Sequence, residues 1–192
     1  MTAPHPEIPP GWLEGKAPPL VLDLGCHRGH FLTALAQEHP EWNVLGVERL
    51  GERVERCLGK IQRLGLANAF ALRAEVAEFV RSLPLEVVWQ AHILFPDPWP
   101  KRRHAARRLL QPGFLKCLAA VLKPGGGLRI LTDQGAYARQ VCEAVAGLPE
   151  LIPSPEPAFP RTAFEEKFLQ RGLPVERLYW IKEPKRQTTT GP

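Results

Sequence analysis

The chain has 192 residues, the size of one ordinary domain, and its hydrophobic fraction of 44% and charged fraction of 23% are typical of a globular protein. It contains no apolar run of membrane-spanning length and no secretory signal, so the sequence predicts a cytoplasmic protein without a membrane partner. The net charge of +5 is uneven, with two Lys or Arg against six Asp or Glu in residues 1–48 and twelve against six in residues 49–108, a concentration that favours a nucleic-acid partner.

The predicted elements begin after an irregular start. Residues 1–19 include six prolines and predict an irregular lead-in to one domain of residues 20–183, with a frayed tail at 184–192. Hydrophobic periodicity then predicts a strand, a glycine turn and a helix within 20–37, and a strand at 42–48 followed by an amphipathic helix. Further strands are predicted at 70–74, 87–95 and 128–133. Each is followed by a predicted helix, at 75–81, 109–122 and 134–146 respectively.

The C-terminal part of the chain departs from this alternation. A proline-rich segment at 149–160 precedes a short predicted helix at 162–171 and a final strand at 175–182. Upstream, proline and glycine at 123–127 predict the end of one helix. Strands that alternate with helices at least five times predict an α/β fold, in which a parallel sheet is covered by helices on both faces with right-handed crossovers.

The first turn from strand to helix carries Asp23, Gly25 and Gly29. A dinucleotide fingerprint needs a middle glycine so that the backbone can approach a pyrophosphate, but His27 stands there in this chain. His27 therefore argues against NAD, FAD and a dinucleotide-dependent oxidoreductase. A cofactor without phosphates can still lie across Gly25 and Gly29.

Three carboxylates at the ends of the first three predicted strands indicate which phosphate-free cofactor would bind beside the glycine turn. Asp23 would face a cationic group, Glu48 suits two ribose hydroxyls and Glu75 suits an exocyclic amine. An amine, a ribose and an adenine without phosphate describe S-adenosylmethionine. Each acid also has a simpler interpretation as a helix N-cap or a surface residue.

The four cysteines are widely spaced and form no C-x-x-C pair, so they predict no disulfide framework. His27 and His30 lie near Cys26, but the further ligands of a metal site are missing from the pattern. The sequence therefore predicts no metal cofactor.

The segment FPDPWPKRRHAARR follows the strand predicted at 87–95. Three alternating prolines, beginning with Pro96, predict a stiff extended loop in which no helix begins before Lys101. This loop carries one carboxylate, Asp97, and one indole, Trp99, which either offers a stacking surface or packs against the loop. The basic side chains that follow are predicted to contact a polyanion: Lys101, Arg102, Arg103, Arg107 and Arg108. A solvated charged face is the alternative.

Three stretches resemble the bacterial tRNA (guanine-N7)-methyltransferases. They are FPDPWPKRRHAARRLLQPGFL at 95–115, LTDQGAYA at 131–138 and PRTAFEEKFLQRG at 160–172, and the first is the most specific. The resemblance implies a Rossmann-like class I methyltransferase with a seven-stranded, mostly parallel sheet whose last strand is antiparallel. It also implies methylation of guanine 46 at N7, in the tRNA variable loop, with S-adenosyl-L-methionine as methyl donor.

The resemblance also implies roles for single residues. The cofactor-binding acids of the family match Asp23, Glu48 and Glu75, and the acid matching Asp97 borders both the cofactor and the target base. Residues matching Lys101, Asp133, Thr162 and Glu165 are assigned to the substrate. By position alone, Asp133 also suits a helix cap, and Thr162-x-x-Glu165 has the spacing of a capping box.

Guanine N7 has a free lone pair and no proton to lose, so positioning is expected to dominate catalysis. We expect Asp97 to accept hydrogen bonds from the guanine's donor edge or to counter positive charge developing on the purine. We expect phosphate contacts from the basic loop and from Arg53, Arg56, Lys60 and Arg63.

The rival hypothesis is an RNA-binding module on the same fold that has lost catalysis and does not bind the cofactor. The sequence leaves open whether the chain is a monomer or a homodimer.

Overall fold

The computed structural model describes residues 8–14, 17–99 and 102–184. The strands are β1 (Leu20–Leu24), β2 (Asn43–Glu48), β3 (Ala69–Arg73), β4 (Val88–Leu94), β5 (Leu122–Thr132), β6 (Leu151–Pro153) and β7 (Glu176–Lys182). The helices are α1 (His30–Glu38), α2 (Gly51–Arg63), α3 (Val76–Ser82), a 3₁₀ helix (Arg102–Arg107), α4 (Pro112–Val121), α5 (Gly135–Val145) and α6 (Ala163–Gln170).

The strands form one seven-stranded sheet in the order β3-β2-β1-β4-β5-β7-β6. Strands β1 to β5 pair in parallel, and β7 runs antiparallel to both β5 and β6. The predicted α/β fold with an antiparallel last strand is therefore confirmed. The chain moves outward from β1 to β3 and returns to place β4 beside β1, so the topological switch point lies between β1 and β4.

Helices cover both faces of this sheet. On one face, α1 and α2 bury Phe31, Leu32 and Cys57 in a core shared with β1 to β3, while α3, α4 and α5 pack over a second core. A Cβ on Gly29 would lie 2.2 Å from the sulfur of Cys57, so α1 and α2 approach this closely only because residue 29 is glycine. None of the helices that the structure describes has the length and apolar character needed to span a bilayer.

The start of β5 differs from the sequence prediction. The residues 123–127, predicted to end a helix, belong to this strand, because Leu122 already pairs with Val88 and Gly127 pairs with Gln90 across a shift in register. A Cβ on Gly127 would lie 2.2 Å from the hydroxyl of Tyr179, so glycine here permits close strand packing. The glycines at 125–127 therefore form an irregular start to the strand.

The proline-rich segment also differs from the expectation. It contributes β6, a three-residue strand at the edge of the sheet that pairs with β7. Pro153 is tolerated because an edge strand has one side without a hydrogen-bonding neighbour.

Candidate active site

Five neighbouring strands lead to carboxylates at one edge of the sheet. Across the sheet from β3 to β5, these are Glu75, Glu48, Asp23, Asp97 and Asp133. Because neighbouring strands lie about 4.8 Å apart, the row spans roughly 20 Å. The switch point lies between β1, which carries Asp23, and β4, which leads into the loop that carries Asp97. Open α/β sheets form a ligand crevice at such a point.

Asp23 is the most deeply buried of these acids, with 3% of its surface exposed. Its Oδ2 atom has no hydrogen-bond partner among the described residues. Burial raises the pKa of Asp23 to about 7, with Arg129 opposing this rise and Glu48 reinforcing it. A buried carboxylate oxygen without a partner is costly, so this position fits a cationic ligand group that would pair with it.

A buried polar row extends from Asp23 along one face of the sheet. Asp23 is in register with His92 of β4, and His92 is in register with Arg129 of β5. Arg129 pairs with Glu156 and lies 5.0 Å from the ring centroid of Phe159. Burial, and secondarily Arg129, lowers the pKa of His92 well below its usual range, so this histidine is neutral. The sequence analysis missed this row, although a histidine and an arginine inside apolar strands were a visible signal.

Glu48 is buried and already has partners on both carboxylate oxygens. Its Oε1 accepts a 3.0 Å hydrogen bond from the backbone N–H of Leu50, and its Oε2 lies 3.5 Å from Nη1 of Arg53. Each oxygen retains a lone pair for a ligand hydroxyl. Arg53 is thereby directed towards Glu48 rather than away from the domain.

Glu75 occupies the N-cap position of α3, but within this described helix its side chain makes no capping hydrogen bond. Its carboxylate is exposed at the end of the row. The simpler interpretation of Glu75 as a capping residue therefore has no support in its side-chain geometry.

The glycine turn is built around left-handed backbone conformations. Gly25 has φ +90° and open space where a Cβ would stand, whereas Gly29 faces Cys57 of α2. His27, at the fingerprint's middle position, has φ 53°, a conformation that glycine adopts more easily. Its ring lies 6.4 Å from the ring of Phe164 in α6, so the imidazole brings the glycine turn close to this helix.

The loop after β4 is turned at both ends rather than extended throughout. Phe95 and Trp99 have φ of 55° and 41°, which non-glycine residues adopt only at a cost. Asp97 lies between them and is exposed. Phe95 is anchored by its backbone N–H, which donates to the carbonyl of Leu131 on β5 at 2.8 Å.

Arg108 ties this loop to α5. Its Nε donates to the carbonyl of Pro98 at 2.8 Å, and its Nη2 donates to the carbonyl of Trp99 at 3.2 Å. Its Nη1 donates to Gln140, and its guanidinium lies 5.2 Å from the centroid of Tyr137. The chain itself therefore occupies most donors of a side chain that the sequence assigned to tRNA phosphate.

The other members of the basic run are placed differently. Arg103 and Arg107 are exposed, and the guanidinium of Arg107 lies 5.1 Å from the centroid of the Trp99 ring. Lys101 lies outside the described residues, as does the side chain of Arg102. Arg103 and Arg107 are thus the described side chains of this run that face solvent.

The segment predicted to bind substrate at Thr162 and Glu165 forms a capping box. The N–H of Glu165 donates to Thr162 Oγ1 at 2.9 Å, and the N–H of Thr162 donates to Glu165 Oε2 at 3.3 Å. Arg177 of β7 pairs with the other oxygen of Glu165. The capping alternative is therefore realised, and it leaves ligand contact at this helix N-terminus chemically possible.

Helix α6 places aromatic rings over the loop that carries Asp97. The ring of Phe95 lies 5.4 Å from that of Phe168 and 6.1 Å from that of Phe164. Asp133, which follows β5, accepts a 2.8 Å hydrogen bond from the side chain of Gln134 and is not the N-cap of α5. The residues described by the structure contain no group of three His, Cys, Asp or Glu side chains that could hold a metal ion.

The sequence is similar to that of a large group of known enzymes. A family model described as "Putative methyltransferase" matches residues 17–178. The chain is 37% identical over 182 residues to a tRNA (guanine-N(7)-)-methyltransferase of Halorhodospira halophila, covering 90% of this chain and 78% of that protein. It is 34% identical to the enzyme of the same name from Alkalilimnicola ehrlichii, covering 88% of this chain and 74% of that protein.

Solved structures share the fold at lower identity. The 16S rRNA methyltransferase KamB aligns with a TM-score of 0.66 and 19% identity, over 90% of this chain and 91% of that chain. The aminoglycoside resistance methyltransferase NpmB1 aligns with a TM-score of 0.63 and 20% identity, over 88% of this chain and 89% of that chain. These likenesses support the sheet topology described above.

Proposed function

The chain belongs to the tRNA (guanine-N7)-methyltransferase family, and we propose that it transfers a methyl group from S-adenosylmethionine to N7 of guanine 46 in tRNA. One observation carries the proposal. Asp23, a buried carboxylate whose Oδ2 has no partner among the described residues, lies in β1, and the proline-flanked acid Asp97 lies in the loop after β4, so the two acids come from the two strands that border the switch point.

The row of acids fits S-adenosylmethionine, which supplies an electrophilic methyl group on a sulfonium when it is bound. We assign its cationic amine to Asp23, its ribose hydroxyls to Glu48 and its adenine amine to Glu75. Gly25 offers the open backbone beside these acids, since space is free where a Cβ would stand. Gly29 supports the same turn by allowing α1 to pack closely on α2.

Asp97 is the residue we assign to catalysis. Because N7 needs no deprotonation, the protein has to hold the guanine in line and accommodate the positive charge that develops on the ring. A carboxylate on a loop fixed by prolines and by Arg108 suits both tasks. Asp133, Thr162 and Lys101 are the further residues that we assign to the substrate.

Glu165 contributes to the substrate site in a narrower way. Both of its oxygens already have partners within the chain, in the capping box and in the pair with Arg177. We therefore assign it to shaping the start of α6 and to accepting at most weak further hydrogen bonds. For tRNA phosphates we assign Arg103 and Arg107, which are exposed, together with Arg102 of the same run.

The proposal is tested by incubating the protein with tRNA and labelled S-adenosylmethionine and mapping the methylated nucleotide. We expect N7-methylguanosine at position 46. Asp97→Asn should lower turnover by about 10²-fold, the typical loss of one charge-stabilising group, while tRNA binding changes little. Glu78→Gln, which removes an exposed acid of α3, is the matched control and should retain normal turnover. Near-normal turnover of Asp97→Asn would remove Asp97 from the mechanism.

A further inference from the structure

A cavity of about 320 Å³ lies between α1 and α2, outside the row of acids. Its lining consists of Arg28, His30, Arg56, Gly59, Lys60 and Arg63. Arg28 and His30 flank Gly29 in the glycine turn, and the other residues lie along one side of α2. The cavity therefore begins at the turn that borders the candidate active site. A water molecule occupies about 30 Å³ in the liquid, so the space admits a phosphate group with several waters.

The charge of this cavity is almost entirely positive. Among the described residues, Arg28, Lys60 and Arg63 form no ion pair with an acid. Arg56 pairs with Glu52 one turn earlier on α2, on the exposed surface. Cations held together without acids have a favourable site for an external anion.

The titration of the lining groups agrees with this geometry. Burial is the main cause that lowers the pKa of Lys60; Cys57 opposes it, and the positive charge of Arg63 adds a smaller decrease. Burial, followed by Lys60 and Arg28, lowers the pKa of His30, with Glu166 of α6 opposing this. A bound anion would relieve the repulsion among these groups.

Gly59 provides an independent observation. It lies in the interior of α2, where glycine destabilises a helix by about 1 kcal/mol relative to alanine. No atom lies within 4 Å of the position that its Cβ would take, so helix packing gives no reason for glycine here. The missing side chain keeps the wall of the cavity open between Arg56, Lys60 and Arg63.

From these observations we propose that the α1–α2 cavity binds a phosphate of the tRNA backbone. The inference rests on the proposed function, because it takes the polyanion to be the tRNA that presents its guanine at the neighbouring site. It also changes the expected contact surface. Arg53 is directed to Glu48 and leaves the expected surface. Arg28 of the glycine turn and His30 of α1 are added to Lys60 and Arg63 of α2.

The test compares two double variants in direct tRNA binding over a range of salt concentrations. Lys60→Gln/Arg63→Gln should weaken binding about tenfold and make the negative slope of log affinity against log salt shallower by about 1, the value for one lost phosphate contact. The matched control is Arg81→Gln/Arg139→Gln, which removes two exposed arginines from α3 and α5 on the opposite face of the sheet. An equal loss in both double variants, or no loss in the first, would overturn the proposal.

A third variant blocks the cavity without changing its charge. Gly59→Gln places a side chain in the open wall and favours the helix, so weaker tRNA binding with thermal stability that is retained or raised supports the cavity as the site. Unchanged tRNA binding of this variant contradicts it. Inorganic phosphate distinguishes the source of the anion. If Lys60→Gln/Arg63→Gln abolishes its binding and leaves tRNA binding intact, the cavity takes free phosphate and the proposal is wrong.

These measurements are independent of catalysis. Methyl transfer by the unaltered enzyme tests the proposed function, whereas the binding comparison tests the cavity even if no methylated product is found. Calorimetry with S-adenosylmethionine should give the same affinity for all three variants, because none of their residues belongs to the row of acids.

Discussion

At the scale of single residues, Asp23 combines a cost in stability with the cofactor contact that we propose for it. A carboxylate that burial forces towards its protonated form costs the folded state free energy near neutral pH. The same buried position gives a bound cation a strong partner. Under the proposed assignment, Asp23 destabilises the free enzyme and stabilises the complex with the cofactor, a combination that is common at functional sites.

Asp23 predicts a specific dependence of stability on pH. Its pKa rises from the usual 3.8 to about 7 on folding, so between these values the folded state holds more protons than the unfolded state. The free energy of unfolding of the free enzyme should therefore fall by about 3 kcal/mol from this group as pH rises from 4 to 7. Urea unfolding at several pH values measures this.

The comparison with Asp23→Asn isolates this group. That variant should lose most of the decrease in stability between pH 4 and 7, whereas Glu143→Gln, which removes an exposed acid of α5, should retain it. The affinity of the unaltered enzyme for S-adenosylmethionine should also rise with pH through about 7, because the ionised carboxylate binds the cation. A pH dependence unchanged by Asp23→Asn would show that another group is responsible.

At the scale of elements, the loop after β4 is held by a neighbouring helix rather than by its prolines alone. The prolines restrict φ at three positions, but Phe95 and Trp99 adopt left-handed conformations that need external support. Arg108 supplies part of it by bonding the carbonyls of Pro98 and Trp99 while packing against Tyr137 of α5. The position of Asp97 therefore depends on an arginine eleven residues later in the chain.

Replacement of Arg108 tests this positioning role. Arg108→Gln should lower kcat about tenfold with little change in KM for tRNA, because the loop loses a charged guanidinium that donates to two backbone carbonyls at once. A lysine at this position has one ammonium group and cannot reproduce this geometry. Arg107→Gln is a matched control, since Arg107 is adjacent in sequence but exposed. That variant should raise KM for tRNA and leave kcat unchanged. A rise in KM alone for Arg108→Gln would assign Arg108 to phosphate binding instead.

At the scale of the whole molecule, a buried ion pair attaches the last quarter of the chain to the centre of the sheet. Arg129 of β5 is almost fully buried and pairs with Glu156, which follows β6 and also lies 3.6 Å from Arg177 of β7. Breaking a buried pair from one side leaves an uncompensated charge. The packing of this segment, which includes α6, against the sheet should therefore depend on the carboxylate of Glu156.

Glu156→Gln should lower the free energy of unfolding by about 3 kcal/mol, since it leaves the Arg129 cation without its buried partner. Denaturant unfolding measures this loss. The double variant Arg129→Met/Glu156→Gln lacks the buried cation as well. Its loss of stability should therefore be clearly smaller than the sum of the losses in the single variants Arg129→Met and Glu156→Gln. Additive losses would mean that the two residues stabilise the fold independently.

The sequence by itself determined the order of the strands and helices other than β6, the glycine turn and the presence of a proline loop that carries Asp97. These features are local: apolar periodicity, proline and glycine act on the residues nearest to them. It also allowed the capping box at Thr162 and Glu165 to be foreseen, because the spacing of a cap is local as well.

Only the tertiary structure decided which of these features meet. The strand order placed β4 beside β1, the packing of α5 turned Arg108 inward, and the approach of α1 to α2 created a cation-lined cavity. β6 also depended on β7 as its pairing partner, since a short proline-containing segment carries no strand pattern of its own. The direction of a side chain depends on strand pairing and burial, which involve residues far away in the chain. The neighbouring residues in the sequence therefore do not predict it.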